Sequence, residues 1–244
     1  MNSRLVRIAG VSLGVSAACG LVVVLAASTG VIGGDYRSWA ATARGCVAKK
    51  SGSGAARTAD LAWSGSDTVK VRIPARVHFQ PGPKPQASVS GDAELVSHVR
   101  MRDGALEWDT FDATIDDCFP ADSLVVQLAG PAVPVWTLNG SGEIDLSDIK
   151  QDNLRITTHG SGTITASGEA HEVTLDSSGS SRADLSRLVT QQAIARIHGS
   201  AEVDLAPRED ADISISGSAI VRLHGAAPRI RSHVSGSGQI RQVP

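Results

Sequence analysis

Carboxylates recur at regular intervals in the second half of the sequence, at Glu143, Asp145, Asp184, Glu202 and Asp204. Glycoside hydrolysis needs two carboxyl groups at a set separation, one acting as acid and the other as base or nucleophile. A column of carboxylates could also offer oxygen ligands to calcium, which takes about 6–8 of them. Six serines recur too, each after a glycine: Ser141, Ser161, Ser180, Ser200, Ser218 and Ser237. A serine nucleophile needs an adjacent base, and no histidine–acid pair repeats beside these six. His159 and His198 each precede the glycine of such a pair, with Ser178 at the same place between them. Of the three cysteines, Cys19 lies in an apolar amino-terminal run, and Cys46 and Cys118 lie beyond it. There is no Cys-x-x-Cys pair, so zinc and thioredoxin-like chemistry have no support.

What positions these residues is a repeat. Gly-Ser pairs begin at Gly140, Gly160, Gly179, Gly199, Gly217 and Gly236, in steps of 20, 19, 20, 18 and 19. Four positions after each glycine stand Ile144, Ile164, Ala183, Val203, Val221 and Ile240. Two positions before it stand Leu138, Thr158, Ser177, Ile197, Ile215 and Val234. These columns are mostly apolar and the columns between them mostly polar. Alternation at period two marks a strand with one buried face. Each repeat therefore reads as two short strands joined at a Gly-Ser bend. A constant step of about nineteen residues favours stacked coils over independent hairpins. The expected fold is all-β, a parallel β-solenoid (β-helix) of two-strand coils, about 28 Å long for six coils at the usual strand spacing.

The solenoid decides what the candidate residues can do. Asp184 and Asp204 fall on adjacent coils, about 5 Å apart at the backbone. The acidic columns read as a solvated outer face. The serines read as a hydroxyl ladder that satisfies polar groups at the bend. His159 and His198 lie two coils apart, about 9.6 Å, too far to share a metal without a further ligand, and read as surface residues. The calcium-binding nonapeptide repeat is absent. No catalytic, cofactor-binding or metal-binding residue is assigned, and no cofactor is implied.

The whole chain has 244 residues and a formal net charge of −2, which gives no electrostatic reason to bind nucleic acid. All eight aromatic residues lie at or before Trp136. Base-stacking platforms are thus missing from the repeats, and so are aromatic faces to hold a sugar. Trp63, Trp108 and Trp136 read as closing the end of the core. Arg4 and Arg7 precede an apolar run over 8–34. It reads either as a cleaved export signal, with Ala26-Ala27-Ser28 as a cleavage site, or as a membrane anchor with Tyr36 and Trp39 at the interface. Either sends the rest out of the cytoplasm. Residues 1–39 form this segment, 40–60 a linker, 60–135 an irregular β-rich part and 136–244 the regular repeats. Once exported, Cys46 and Cys118 either form a disulfide or stay as two thiols. A bridge would close a loop of about 70 residues and stabilise by roughly 4 kcal/mol. The last coil presents unpaired strand edges that invite end-to-end self-association or a docked partner, unless Arg241 and Pro244 blunt them.

Val69-Lys70-Val71-Arg72-Ile73-Pro74-Ala75, Gly104-Ala105-Leu106-Glu107-Trp108 and the Gly-Ser-Gly-x-Ile motifs at 140–144, 160–164 and 236–240 carry a resemblance. Residues 60–244 resemble the auto-transporter adhesin head GIN domain family of bacterial envelope proteins. The pattern departs from the family at Ser181, Ala201 and Ala219, which replace the second glycine. The resemblance implies a β-solenoid and an envelope location, in the periplasm or on the outer surface. It supplies no catalytic residues. The expected function is a non-catalytic, adhesin-like envelope protein that binds a surface glycan or protein. The alternatives are a structural or regulatory ectodomain tethered to the inner membrane through residues 8–34, and a carbohydrate-active β-helix enzyme.

Overall fold

A computed structural model describes residues 56–109, 123–225 and 229–244. The chain divides into units 1–49 and 50–244, and all that follows concerns the second. The apolar run 8–34, residues 40–55 of the linker, and Cys19, Cys46 and Cys118 lie outside the described residues.

The strands run β1 (Ala56–Asp60), β2 (Thr68–Val71), β3 (Arg76–Pro81), β4 (Gln86–Asp92), helix α1 (Ala93–His98), β5 (Val99–Arg102), β6 (Ala105–Trp108) and β7 (Leu124–Gly130). The repeats follow as β8 (Val135–Gly140), β9 (Glu143–Gly160), β10 (Thr163–Gly179), β11 (Arg182–Gly199), β12 (Glu202–Gly217), β13 (Ile220–His224), β14 (Arg229–Gly236) and β15 (Gln239–Val243). Together they form a β-solenoid of about five turns.

From β8 onward every pairing is parallel, and the Gly-Ser repeat sets the register. Gly160 lies opposite Gly140 and Gly179, and Gly199 opposite Gly179 and Gly217. The apolar columns of the sequence are columns in space, with Ile144, Ile164, Ala183 and Val203 in successive register and all buried. The two-strand coil is corrected to one long strand from bend to bend, with three ladder stretches, as at 143–146, 149–151 and 153–160 of β9. The uneven steps are absorbed where the first stretch meets the second. There Leu146–Ile149 faces Ala166–Gly168, Thr165–Ser167 faces Asp184–Arg187, and Leu185–Val189 faces Leu205–Ala206, with one residue regained between β11 and β12 where Thr190–Gln192 faces Pro207–Asp210. These insertions and deletions scramble the period-two pattern on the middle stretch and hide it in the sequence.

Glycine at the bend is required by two constraints. Gly199 has φ +125°, and a Cβ there would lie 2.3 Å from the Gly179 carbonyl oxygen. That carbonyl accepts the Ser200 N–H at 2.8 Å, so coil-to-coil bonding continues around the corner. The position two after the glycine packs on the preceding coil. A Cβ on Gly162 would meet Leu138 at 2.4 Å. Where the facing residue is the smaller Thr158, the chain carries Ser181, whose hydroxyl bonds Thr158 at 3.2 Å and Ser177 at 2.6 Å. The departure from the family's second glycine at Ser181 is therefore a size match, with a buried hydroxyl trio inside the core.

The amino-terminal part is threaded out of sequence order. β2 and β3 turn at the Pro74 corner and form one coil. On one side β2 and β3 pair with β6 and β7, and on the other with β8 and β9. Beyond β6 and β7, antiparallel β5 and β4 complete the end, joined by α1. Asp92 caps α1 by accepting the Glu94 N–H at 2.9 Å. Leu95 and Val96 bury into the common core. β5 and β6 form a hairpin across Asp103-Gly104, both at positive φ, the turn that suits strand twist. β1, at the end of the stretch read as a linker, adds to β4, so ordered strand begins before residue 60. Trp136 is fully buried against Phe79 at 5.2 Å, and Trp63 meets Phe79 edge-on at 6.4 Å. The tryptophans do close this end of the core, with Trp63 and Trp108 packed partly buried against it.

Candidate functional site

Outward residues on one face align across ten strands. In register order they are Asp60, Ser88, Gln127, His78, Asp145, Thr165, Asp184, Asp204, Arg222 and Arg241. None is buried. At the usual strand spacing this ladder is about 43 Å long. It is acidic in the middle and basic toward the last coil. Successive outward side chains come from separate segments of the sequence, and strand register, antiparallel from β1 through β4 to β7 and parallel beyond, brings them into line.

Most of its charges are engaged. Asp145 accepts from the Thr165 hydroxyl at 2.7 Å and lies 3.2 Å from His78 Nδ1. Asp204 is held by Arg222 at 3.1 Å and His224 at 2.8 Å. In the neighbouring column Arg76 pairs with Glu143, and Arg182 with Glu202, each at 2.8 Å. Asp184 differs: its Oδ1 accepts both the Ser186 hydroxyl at 2.6 Å and the Ser186 N–H at 3.1 Å. The Ser186 hydroxyl, with smaller help from that N–H and from Arg187 and His224, holds the Asp184 carboxyl below its usual range against the desolvation that raises it. Asp184 and Asp204 are register neighbours, as the repeat requires. Each, however, is tied to partners of its own, Asp184 to Ser186 and Asp204 to Arg222 and His224.

The ladder's amino-terminal end opens into a groove of about 480 Å³, lined among others by Asp60, Leu61, Gln80, Gln86, Ser88 and Gln127. Three glutamine amides and a serine hydroxyl offer both donors and acceptors there. The residues of this groove share no motif. The one sequence signal for them is outward position on a period-two strand, as at Ser88 beside Val89. A second groove, of about 550 Å³, lies on the middle stretch of β9 to β11 and includes Lys150, Asp152, Glu169 and His171.

His159, Ser178 and His198 stand in one register column, with His159 Nδ1 2.8 Å from the Ser178 hydroxyl. The Gly-Ser serines are exposed, and the hydroxyl-ladder reading is corrected. The bonds that cross the bend run from backbone N–H to glycine carbonyl, as from Ser161 to Gly140 and Ser180 to Gly160. The positive-φ glycine turns its carbonyl toward the next coil, and the serine side chain is left in solvent.

Residues 109–227 match the family model described as "Putative auto-transporter adhesin, head GIN domain". That span is narrower than the 60–244 of the motif resemblance and covers the regular coils through β13 but not β14 and β15. The fold is similar to that of a protein described as a putative adhesin from Bacteroides fragilis NCTC 9343. It is 15% identical, the alignment covers 79% of this chain and 99% of that one, and the TM-score is 0.62. A protein described as a putative lipid binding protein from Parabacteroides distasonis ATCC 8503 is 18% identical over 79% of this chain and 98% of that one, with a TM-score of 0.50. No curated protein matches the chain. The solved structures share the fold, and the match to the head GIN domain family falls on the Gly-Ser coils themselves, over residues 109–227.

Proposed function

We propose that the chain is a non-catalytic, exported protein of the cell envelope, and that the ladder face and its groove bind a surface glycan or protein. The observation that carries this reading is the uninterrupted ten-strand polar face ending in an amide-lined groove. A face of fixed side chains at a regular spacing suits an extended ligand with repeating hydroxyl or amide groups. The adhesin description of the family points the same way. The non-catalytic part is supported by the carboxylates. A glycosidase acid needs a raised pKa, whereas Asp184 is lowered by Ser186 and Asp204 is tied to Arg222 and His224. Export is supported by the basic start and apolar run at 8–34, which would hold the domain at the inner membrane if retained.

The test is binding of the purified chain to a glycan array and to envelope extract, alongside a Gln86→Ala/Gln127→Ala variant. Saturable binding that the variant loses, at unchanged melting temperature, supports the proposal. No binding to either, from a folded sample, turns the balance to a tethered structural or regulatory ectodomain.

A further inference from the structure

The last coil, β14 and β15, is built differently from the rest. Among the described residues β14 pairs only with β12, and β15 only with β13, so no described strand meets the backbone groups on the far edge of either. The two large hydrophobic side chains exposed among the described residues are Ile230 at 37% and Val234 at 41%, and both are on β14. They continue the buried columns of Ala211 and Ile215, one coil beyond the last neighbour that could cover them. Ile240, in register with buried Val221, is only partly buried. The core therefore stays open at this end.

Charge says what kind of strand would complete it. Ion pairs along the solenoid cross from one coil to the next: Arg76–Glu143, Arg182–Glu202, Arg222–Asp204, Arg229–Asp210 and Arg231–Asp212. One group can serve both sides, since Asp176 lies between Arg155 and Arg196. Residues 229–244 contain Arg229, Arg231, His233 and Arg241, with no Asp or Glu. The next strand in this series must therefore be acidic on its outer face. Arg241 already faces Arg222 in register, and a second copy of the same coil stacked in parallel would add further like charge to that face, which cross-strand pairing disfavours.

We propose that the β14–β15 edge docks an extended acidic segment of a partner protein by strand addition. Acidic side chains of the segment would lie opposite Arg229, Arg231 and Arg241. Alternate apolar side chains would cover Ile230, Val234 and Ile240. The backbone edge supplies the hydrogen bonds, and the charges select the partner. This surface is separate from the ladder groove, and its test stands or falls independently of that reading.

The probe is a labelled peptide with the sequence of residues 208–217, the acidic strand that already pairs with β14 from the other side. Its control is the same peptide with Asp210→Lys and Asp212→Lys. Anisotropy titration of the full chain reads the binding. The acidic peptide binds saturably, and the control binds at least about tenfold more weakly. Arg231→Glu and, separately, Val234→Asn each weaken the acidic peptide without lowering the melting temperature of the chain by more than a few degrees. Arg57→Glu, the same charge change on β1, leaves binding unchanged. Equal binding of the two peptides, or equal loss in Arg57→Glu and Arg231→Glu, overturns the proposal. So does a light-scattering mass of two chains that falls to one in Val234→Asn, which would assign the edge to self-association.

Discussion

Gly140 and Gly199 occupy the same place in the repeat and differ in one respect. Gly140 has φ +100° and nothing within 4 Å of where an alanine methyl would sit, because the corner of the preceding coil is the differently shaped Pro74 turn. Gly199 has φ +125° and the Gly179 carbonyl oxygen at 2.3 Å from that position. Alanine at either must adopt a backbone conformation that costs about 1–3 kcal/mol. At residue 199 it also drives a methyl into backbone that cannot rotate away, adding about 1–3 kcal/mol of overpacking. The Ser200 N–H to Gly179 carbonyl bond then lengthens or breaks, at a net cost of about 1 kcal/mol. The expected losses are about 2 kcal/mol for Gly140→Ala and about 5 kcal/mol for Gly199→Ala. For a domain of this size each kcal/mol lowers the midpoint by about 2–4 °C. Far-UV circular dichroism melts, with urea titrations beside them, should show drops of about 6 °C and 15 °C. Equal drops would refute the argument that close coil approach, rather than backbone conformation alone, demands glycine at the bend.

Ser181→Ala, although smaller and more apolar, should lose about 1–2 kcal/mol in urea titrations, because Ser177 and Thr158 lose a buried partner. Ile197→Ala should lose about 2–5 kcal/mol, whereas Val234→Ala on the exposed last coil should stay within about 0.5 kcal/mol of the parent. The lowered carboxyl of Asp184 stabilises the fold above its ordinary pKa of 3.8, and that contribution fades as pH falls through the lower folded value. Asp184→Asn should therefore be less stable than the parent at pH 7, and the gap should narrow in acid. A gap of the same size at both ends of the titration would remove the Ser186 contact as its cause.

The regular coils were legible because one residue type, glycine at the bend, is fixed by two independent physical demands. Its recurrence at Gly140 through Gly236 gave the register directly, and with it the alignment of Asp184 with Asp204. The middle ladder stretch was not legible. Its apolar residues, such as Ile149 and Leu188, sit where one to three residues are inserted or lost between coils. The amino-terminal end was readable only in pieces. The Asp103-Gly104 hairpin announces itself by turn chemistry, but no local pattern shows that β2 pairs with both β6 and β8. The groove at the ladder's end was missed for the same reason. Gln80, Gln86 and Gln127 meet through pairings between strands that no repeat relates.

The coil made by β2 and β3 is clasped between strands made later, about 35 and about 67 residues further along the chain, as Lys70 with Ala105 and Arg76 with Glu143 illustrate. A polypeptide emerging amino end first therefore cannot build this solenoid in the order it appears. Its first coil must wait, with both edges open, until β6 and β7 and then β8 and β9 arrive on either side. Contacts this distant in sequence make for slow closure. They also act as a latch: once β2 and β3 are in place, pulling that coil out means parting two ladders at once, whereas the far coils can peel away one at a time.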